Sequence, residues 1–369
     1  MTSHMAALAK NLILLMLAGL SLGIVASAAD VAAASTGPRI ETSARVAPGE
    51  PYEIVFNPAD SDLYVAAYGH RPSGREARVV RLDGKTLQPK AELDVGGYPV
   101  FGLGINTRTQ TLYGTNTRGG GLVQAFDLRT GKLAATIRRD GEEAHVRAVV
   151  VDEEANKIYV SVVGFTRDGT TTPSQIWVID GATNTIERII DVDTKTLTGL
   201  ALDAAGNRIF ATGLEADEVV AVDLRSGQVT ARWPTGSEWP TNIAFDRDGQ
   251  RLFVTGQKTG DLAVLDARTG AILTRIPTGE SALAVAFNPA VRQIYVTNRK
   301  AGTVTVIDST DYKVLANLKT GSFPQSIAID HAAGRVFVTN KPHGLPRDAS
   351  EDAPTPYDPD GDTVTVIRP

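Results

Sequence analysis

Between residues 52 and 340 the chain repeats one pattern seven times. Each copy opens on a short apolar strand that ends in an Asn or Asp turn, followed by a branched-aromatic-Val triplet. A Gly-rich gap then leads to a Val-x-Val-Ile-Asp strand, a Thr-Gly turn and a closing strand. The sixth copy is the cleanest: Ala284-Val285-Ala286-Phe287-Asn288-Pro289, Ile294-Tyr295-Val296-Thr297-Asn298, Thr303-Val304-Thr305-Val306-Ile307-Asp308, then Leu318-Lys319-Thr320-Gly321. The aromatic recurs as Tyr64, Tyr113, Tyr159, Phe210, Phe253, Tyr295 and Phe337, and the last intervals are 43, 42 and 42 residues. Four strand-like runs per such period specify a β-propeller, because each small sheet buries its faces only against its neighbours. The expected fold is all-β: a seven-bladed propeller of four-stranded blades over residues 39–369.

The last copy stops at Val364-Thr365-Val366-Ile367 without a closing strand. The missing piece lies at the other end, where Ile40 to Val46 followed by Pro48-Gly49 resembles Leu318 to Gly321. Residues 40–46 are therefore expected to supply the outer strand of blade seven, tying the ends together and covering a sheet edge. Ahead of them, Lys10 and the apolar run Leu12 to Val25 precede Ala26-Ser27-Ala28. That pattern reads as a signal peptide over residues 1–28, with a flexible segment over 29–38, and implies export to the periplasm without membrane insertion after cleavage.

Composition bounds the chemistry. With no cysteine, the chain has no disulfide, thiolate metal site or c-type haem attachment. A net charge of -5 gives no global basic field, so a polyanion would need a local patch. The lone Gly-x-Ser-x-Gly match, Gly19-Leu-Ser21-Leu-Gly23, falls in the leader and is no nucleophile elbow. The five His residues lack metal-ligand spacing, and Asp358-Pro-Asp360-Gly361-Asp362 reads as a turn rather than a calcium loop. No cofactor is expected. The repeated Asp83, Asp127, Asp180, Asp223, Asp266 and Asp308 sit at strand ends, where Asp caps turns.

Loop alternation in four-stranded blades sorts residues onto two faces. One collects Asp60, Asp62, Asp152, Glu153, Glu154, Asp203, Asp246 and Asp248. The other carries the insertions after residues 66, 164 and 340, together with Arg71, Arg75, Arg299 and Lys300, and breaks the pattern in blade four with Glu215, Asp217 and Glu218. Connections between blades add Tyr52, Tyr98, His145, Arg147, Trp239 and Phe323 to that rim. Two readings of these aromatics stand: packing plugs where blades meet, or a platform that stacks bases while cations neutralise phosphates. In the second, Arg71, Arg75, Arg147, Arg299 and Lys300 contact phosphates and Tyr52, Tyr98, Trp239 and Phe323 stack.

Tyr295-Val296-Thr297-Asn298 is the tetrapeptide of the YVTN β-propeller repeat, echoed by Phe337-Val338-Thr339-Asn340 and Phe253-Val254-Thr255-Gly256. Longer stretches narrow the resemblance. They are Phe101-Gly102 with Ile105-Asn106-Thr107, Thr109 to Leu112, Thr198 to Asp203, Leu283 to Ala290, and Val304 to Asp308 with Tyr312-Lys313-Val314. On these residues the chain resembles the YncE-type periplasmic seven-bladed propellers. The resemblance implies a periplasmic propeller without known catalysis, for which binding of single-stranded DNA has been proposed; it transfers no binding residue. The expectation is an exported, non-enzymatic protein that binds single-stranded nucleic acid or a small anion on its rim. The alternatives are a lactonase-like hydrolase using His145 and Arg147, and a scaffold that docks another exported protein.

Overall fold

The computed structural model describes residues 37–46, 49–68, 77–117, 120–139, 141, 143–167, 170–344 and 356–369; side chains of 165–171 are not described. The leader over 1–28, most of the 29–38 segment, and Arg71 and Arg75 lie outside these residues. Seven four-stranded antiparallel sheets form the blades of a propeller. Blade one comprises Pro51–Asn57, Asp62–Ala67, Arg78–Asp83 and Pro89–Asp94. Blades two to six follow over residues 102–137, 146–191, 197–234, 240–277 and 282–319. Blade seven is Pro324–Asp330, Arg335–Asn340, Thr363–Arg368 and, as its outer strand, Arg39–Arg45 from the other end of the chain. The insertion in blade three carries a further hairpin, Phe165–Arg167 with Thr170–Thr172.

The closure strand pairs antiparallel with Thr363–Arg368, setting Arg39 opposite Arg368 and Arg45 opposite Thr363. Charges fasten it: Arg368 Nε lies 2.6 Å from Glu41, and Arg45 Nη1 lies 3.2 Å from Asp362. The strand-end Asp residues cap turns as their spacing implies. Asp266 Oδ1, for example, accepts the backbone N–H groups of Arg268 and Thr269 at 2.9 Å each. The acidity of the first face is spent locally. Asp62 pairs with Arg81 and Lys90, Asp203 with Arg208, and Asp246 with Arg251. The same arginines lie over the repeat aromatics, Arg208 at 4.8 Å from the Phe210 ring and Arg251 at 5.4 Å from Phe253.

Apolar alternation along the second and third strands of each blade fills the spaces between blades. Leu252, Val254, Ala263 and Leu265 of blade five meet Phe210 and Val219 of blade four in one cluster. Nearer the axis the packing is polar. In blades two to seven the residue two places after the repeat aromatic is a fully buried hydroxyl: Thr115, Ser161, Thr212, Thr255, Thr297 and Thr339. Each hydroxyl accepts the amide of a residue on its own inner strand, as Asn242 N–H donates to Thr255 at 3.1 Å. Five of them also donate to an inner-strand carbonyl of the next blade: Thr115 to Arg147, Ser161 to Thr198, Thr212 to Thr241, Thr255 to Leu283, and Thr339 to Tyr52. In six of the seven blades the pairing of first and second strands shifts register near the start of the inner strand, and in five of these, blades three to seven, the bulge lies beside the accepted amide and turns it out of the ladder toward the hydroxyl. Gly102 is required here, since a Cβ would stand 2.1 Å from the Arg147 carbonyl oxygen.

Replacing Thr255 with Val keeps the shape but strands the Asn242 backbone amide and leaves the Leu283 carbonyl with the Asn242 side-chain amide alone. The expected loss is about 1–3 kcal/mol, with Thr255→Ser close to the native chain; chemical denaturation of the two variants measures it.

Candidate functional site at the channel mouth

The loop-rich face owes its geometry to two repeated positions. The first is the residue just before each inner strand, held at positive φ in five blades: Glu50 (61°), Thr196 (57°), Trp239 (58°), Ser281 (63°) and Phe323 (40°). Left-handed backbone is unfavourable for side chains other than Gly, so the surrounding structure must impose it. Four of the five share a hydrogen bond at this point. The carbonyl of this residue accepts the amide of the residue just after the second strand, as Trp239 does from Gln257 (3.0 Å), Ser281 from Arg299 (2.9 Å) and Phe323 from Lys341 (3.3 Å). His145 occupies the same position in blade three, accepting from Val163 at 2.8 Å. His145, Trp239 and Phe323 are thus equivalents, and so are Arg299 and Lys341.

The side chains gather unevenly. Around blades six, seven, one and two they form a continuous cluster of rings and cations. Phe323 packs on His343 with ring centroids 4.5 Å apart, and the Arg299 guanidinium lies 5.4 Å from the Phe323 centroid. Lys341 Nζ stands 4.7 Å from the Tyr68 ring and 5.4 Å from Tyr52. It also pairs with Glu50 at 3.1 Å and donates to the Tyr68 hydroxyl at 3.0 Å. Tyr68 in turn donates to Glu50. Tyr52 and Tyr68 both meet Phe101, at 5.5 and 5.2 Å. Burial pushes the Lys341 ammonium below the ordinary lysine range; Glu50 opposes the shift and Arg299 adds to it.

The remaining rim residues stand apart. Trp239, 46 % exposed, and Tyr98, 39 % exposed, present open ring surface on blades five and one. Lys300 pairs with Glu280 at 3.2 Å, both largely exposed, and Lys258 pairs with Glu238 beside Trp239. Exposed pairs of this kind exchange partners at little cost. Burial, with the Arg147 guanidinium second, holds the His145 imidazole below its ordinary pKa. Blades three and four carry a mainly acidic balance: Asp191, Asp193, Glu215 and Glu218, against Lys195, line an open groove of about 1010 Å³. No group of three or more His, Cys, Asp or Glu among the described residues is arranged to hold a metal ion.

Below the rings lies the channel mouth, a cavity of about 120 Å³ reached by the first residues of six inner strands. Glu53 is its carboxyl group, bonded by the Ser326 hydroxyl across the ring closure. Desolvation raises Glu53 to about 7, against the lowering effects of Ser326, the Ile54 amide and Arg147. Tyr68, Phe101, Lys341, Glu50 and Glu53 complete a site of which sequence reading singled out Tyr52, Arg147, Arg299 and Phe323. The available signal was the repeat itself, since aligning copies puts Lys341 on Arg299 and Glu53 on Ser326.

No family model matches the chain. It is 32% identical over 188 residues to the protein YncE of Escherichia coli K12, and 33% identical over 188 residues to YncE of Salmonella typhi. Each match covers 49% of this chain and 50% of the relative, so the chain spans about half the length of the curated relatives it matches. The seven-bladed ring agrees with these matches. The chain is a seven-bladed propeller similar to YncE over about half of its length. Among solved structures it superposes on Kuenenia stuttgartiensis hydrazine synthase (TM-score 0.66, 16% identity, 81% of this chain, 95% of that one). It also superposes on the β-propeller domain of Cps50 (Swd1) from Myceliophteria thermophila (0.67, 13%, 89% and 99%). At such identities the likeness is one of fold.

The convergence of inner strands on Glu53 predicts a pH signature there. An acid held above its ordinary value of 4.5 destabilises the fold once ionised. The cost is absent below about pH 4.5, grows as pH rises, and is complete above about pH 7. Glu53→Gln should therefore melt a few degrees above the native chain at pH 8 and level with it at pH 4.5, as read by thermal unfolding.

Proposed function

We propose that this propeller is a non-enzymatic binding protein whose rim takes an anionic ligand with stackable rings, single-stranded nucleic acid being the first candidate. The observation that carries the reading is the Arg299 guanidinium set against the Phe323 ring at the channel mouth, beside a cluster that the buried Lys341 ties to Tyr68 and Tyr52. Bases stack on such faces whatever their sequence, and arginine or lysine beside them meets the phosphates. Trp239 and Tyr98 extend the ring surface to either side. The acidic groove of blades three and four repels a polyanion, so the footprint runs along blades five, six, seven, one and two. Export to the periplasm, implied by the apolar leader and its Ala26-Ser27-Ala28 end, belongs to the same proposal.

Fluorescence anisotropy of a labelled single-stranded oligonucleotide across a salt series tests it. Log affinity should fall with log salt by ~0.7 for each phosphate contacted. Replacing Arg299 and Lys300 together should flatten that slope by about 1.4 if each meets one phosphate. Phe323→Ala should cost about 1–3 kcal/mol of binding with the melting curve preserved. Absence of saturable binding at low salt would sink the proposal.

A further inference from the structure

The cavity under Tyr52 and Phe101 is chemically unlike the rim above it. Repeat alignment places Glu53, Gly102, Ala148, Gly199, Asn242, Ala284 and Ser326 at one equivalent position on the seven inner strands. Five of these side chains are no larger than serine's, which leaves room at the mouth, and Glu53 is the ionisable exception. About 120 Å³ holds several water molecules or one small organic molecule.

Its polar groups are under-used. The amide of Gln325 lines the cavity at 6 % exposure and makes no hydrogen bond among the described residues, and its oxygen is buried. A buried amide left unbonded costs free energy that a ligand or water would recover. The half-buried Arg147 guanidinium lines the same space and donates no hydrogen bond among the described residues. Its five donors suit a carboxylate gripped by two parallel bonds. Glu53, bonded through one oxygen by Ser326, keeps acceptor capacity for an ammonium group.

The wall therefore offers a cation and an anion within one small chamber. A simple anion would sit against the Glu53 carboxyl, and a simple cation against Arg147. A molecule that carries both charges satisfies both ends and enters without net charge. We infer that the channel mouth binds a small α-amino acid, with its carboxylate on Arg147 and its ammonium on Glu53 and Gln325. The volume limits the side chain to the range from glycine to serine. Ile243, Val285 and Ile327 supply the apolar wall on which a methyl or methylene group rests. This ligand is independent of any polyanion on the rim, and its test uses no nucleic acid.

The experiment is titration of the full chain at pH 8, where Glu53 is ionised, with glycine, L-alanine and L-serine by isothermal calorimetry, with saturation-transfer NMR for weak complexes. Acetate and methylamine are the single-charge controls, and L-leucine the size control. Saturable binding of at least one of the three small amino acids is expected, at least tenfold tighter than acetate, methylamine or leucine. Arg147→Met and Glu53→Gln, each shown to fold by circular dichroism, should weaken that binding at least tenfold. Acetate binding as tightly as alanine, unchanged affinity in both folded variants, or no saturable binding of glycine, alanine or serine by either method would each overturn the inference.

Discussion

A buried hydroxyl, repeated around the axis, holds this ring together. Apolar packing between blades is extensive but has no direction of its own, and sheets can slide on it. The hydroxyls of Thr115, Ser161, Thr212, Thr255 and Thr339 remove that freedom, because each is bonded to two neighbouring blades at once. Both partners are backbone groups far from water, so a misplaced blade leaves a donor and an acceptor unpaired together. Blade one has Ala66 in place of the hydroxyl. Its inner strand is instead held from the other side, where Thr339 bonds Tyr52 and Ser326 bonds Glu53.

This arrangement also sets the site. In blades four to seven the bulge that presents the amide to its hydroxyl lies at the entrance of the inner strand, one to three residues from the left-handed rim position. Phe323 and Trp239 are thus carried by the strained residue, and Gln325 and Glu53 by the strand that follows. Rim and chamber are two levels of one construction, with rings and cations above and a charged pair in a small polar space below. The charge of the face divides by blade rather than by level. Glu215 and Glu218 border the acidic groove of blades three and four, while Arg299 and Lys341 face the mouth from blades six and seven.

Much of the ring was legible in the amino-acid order, for a physical reason: each blade is a local unit whose strands follow one another along the chain. The repeated aromatics and the Asp-capped turns leave marks within a few dozen residues, and the displaced first strand is legible because the last copy lacks a closing strand that residues 40–46 resemble. The site is legible only in part. Phe323, Arg299 and Trp239 advertise themselves as loop aromatics and cations, but Lys341 does not reveal that it is buried between Tyr52 and Tyr68, more than two hundred and seventy positions away. Glu53 reads as an ordinary strand residue; its desolvation comes from strands of other blades converging on the axis. The hairpin of Phe165–Arg167 and Thr170–Thr172 hides in a loop rich in Gly and Thr that carries no apolar alternation.

The strand Arg39–Arg45 has a consequence for the topology of the polymer. With Arg39 paired to Arg368, the described chain is close to a circle cut at a single point. Joining the two ends by a short linker and reopening the circle at an exposed turn, such as the one beside Asp266, would preserve every strand neighbour while moving the cut to another blade. In the natural order, the last blade waits on residues from both extremities. A chain emerging from one end can stack its first six sheets, but its ring stays open, with the edge of Thr363–Arg368 unpaired, until the earliest strand returns to meet the latest.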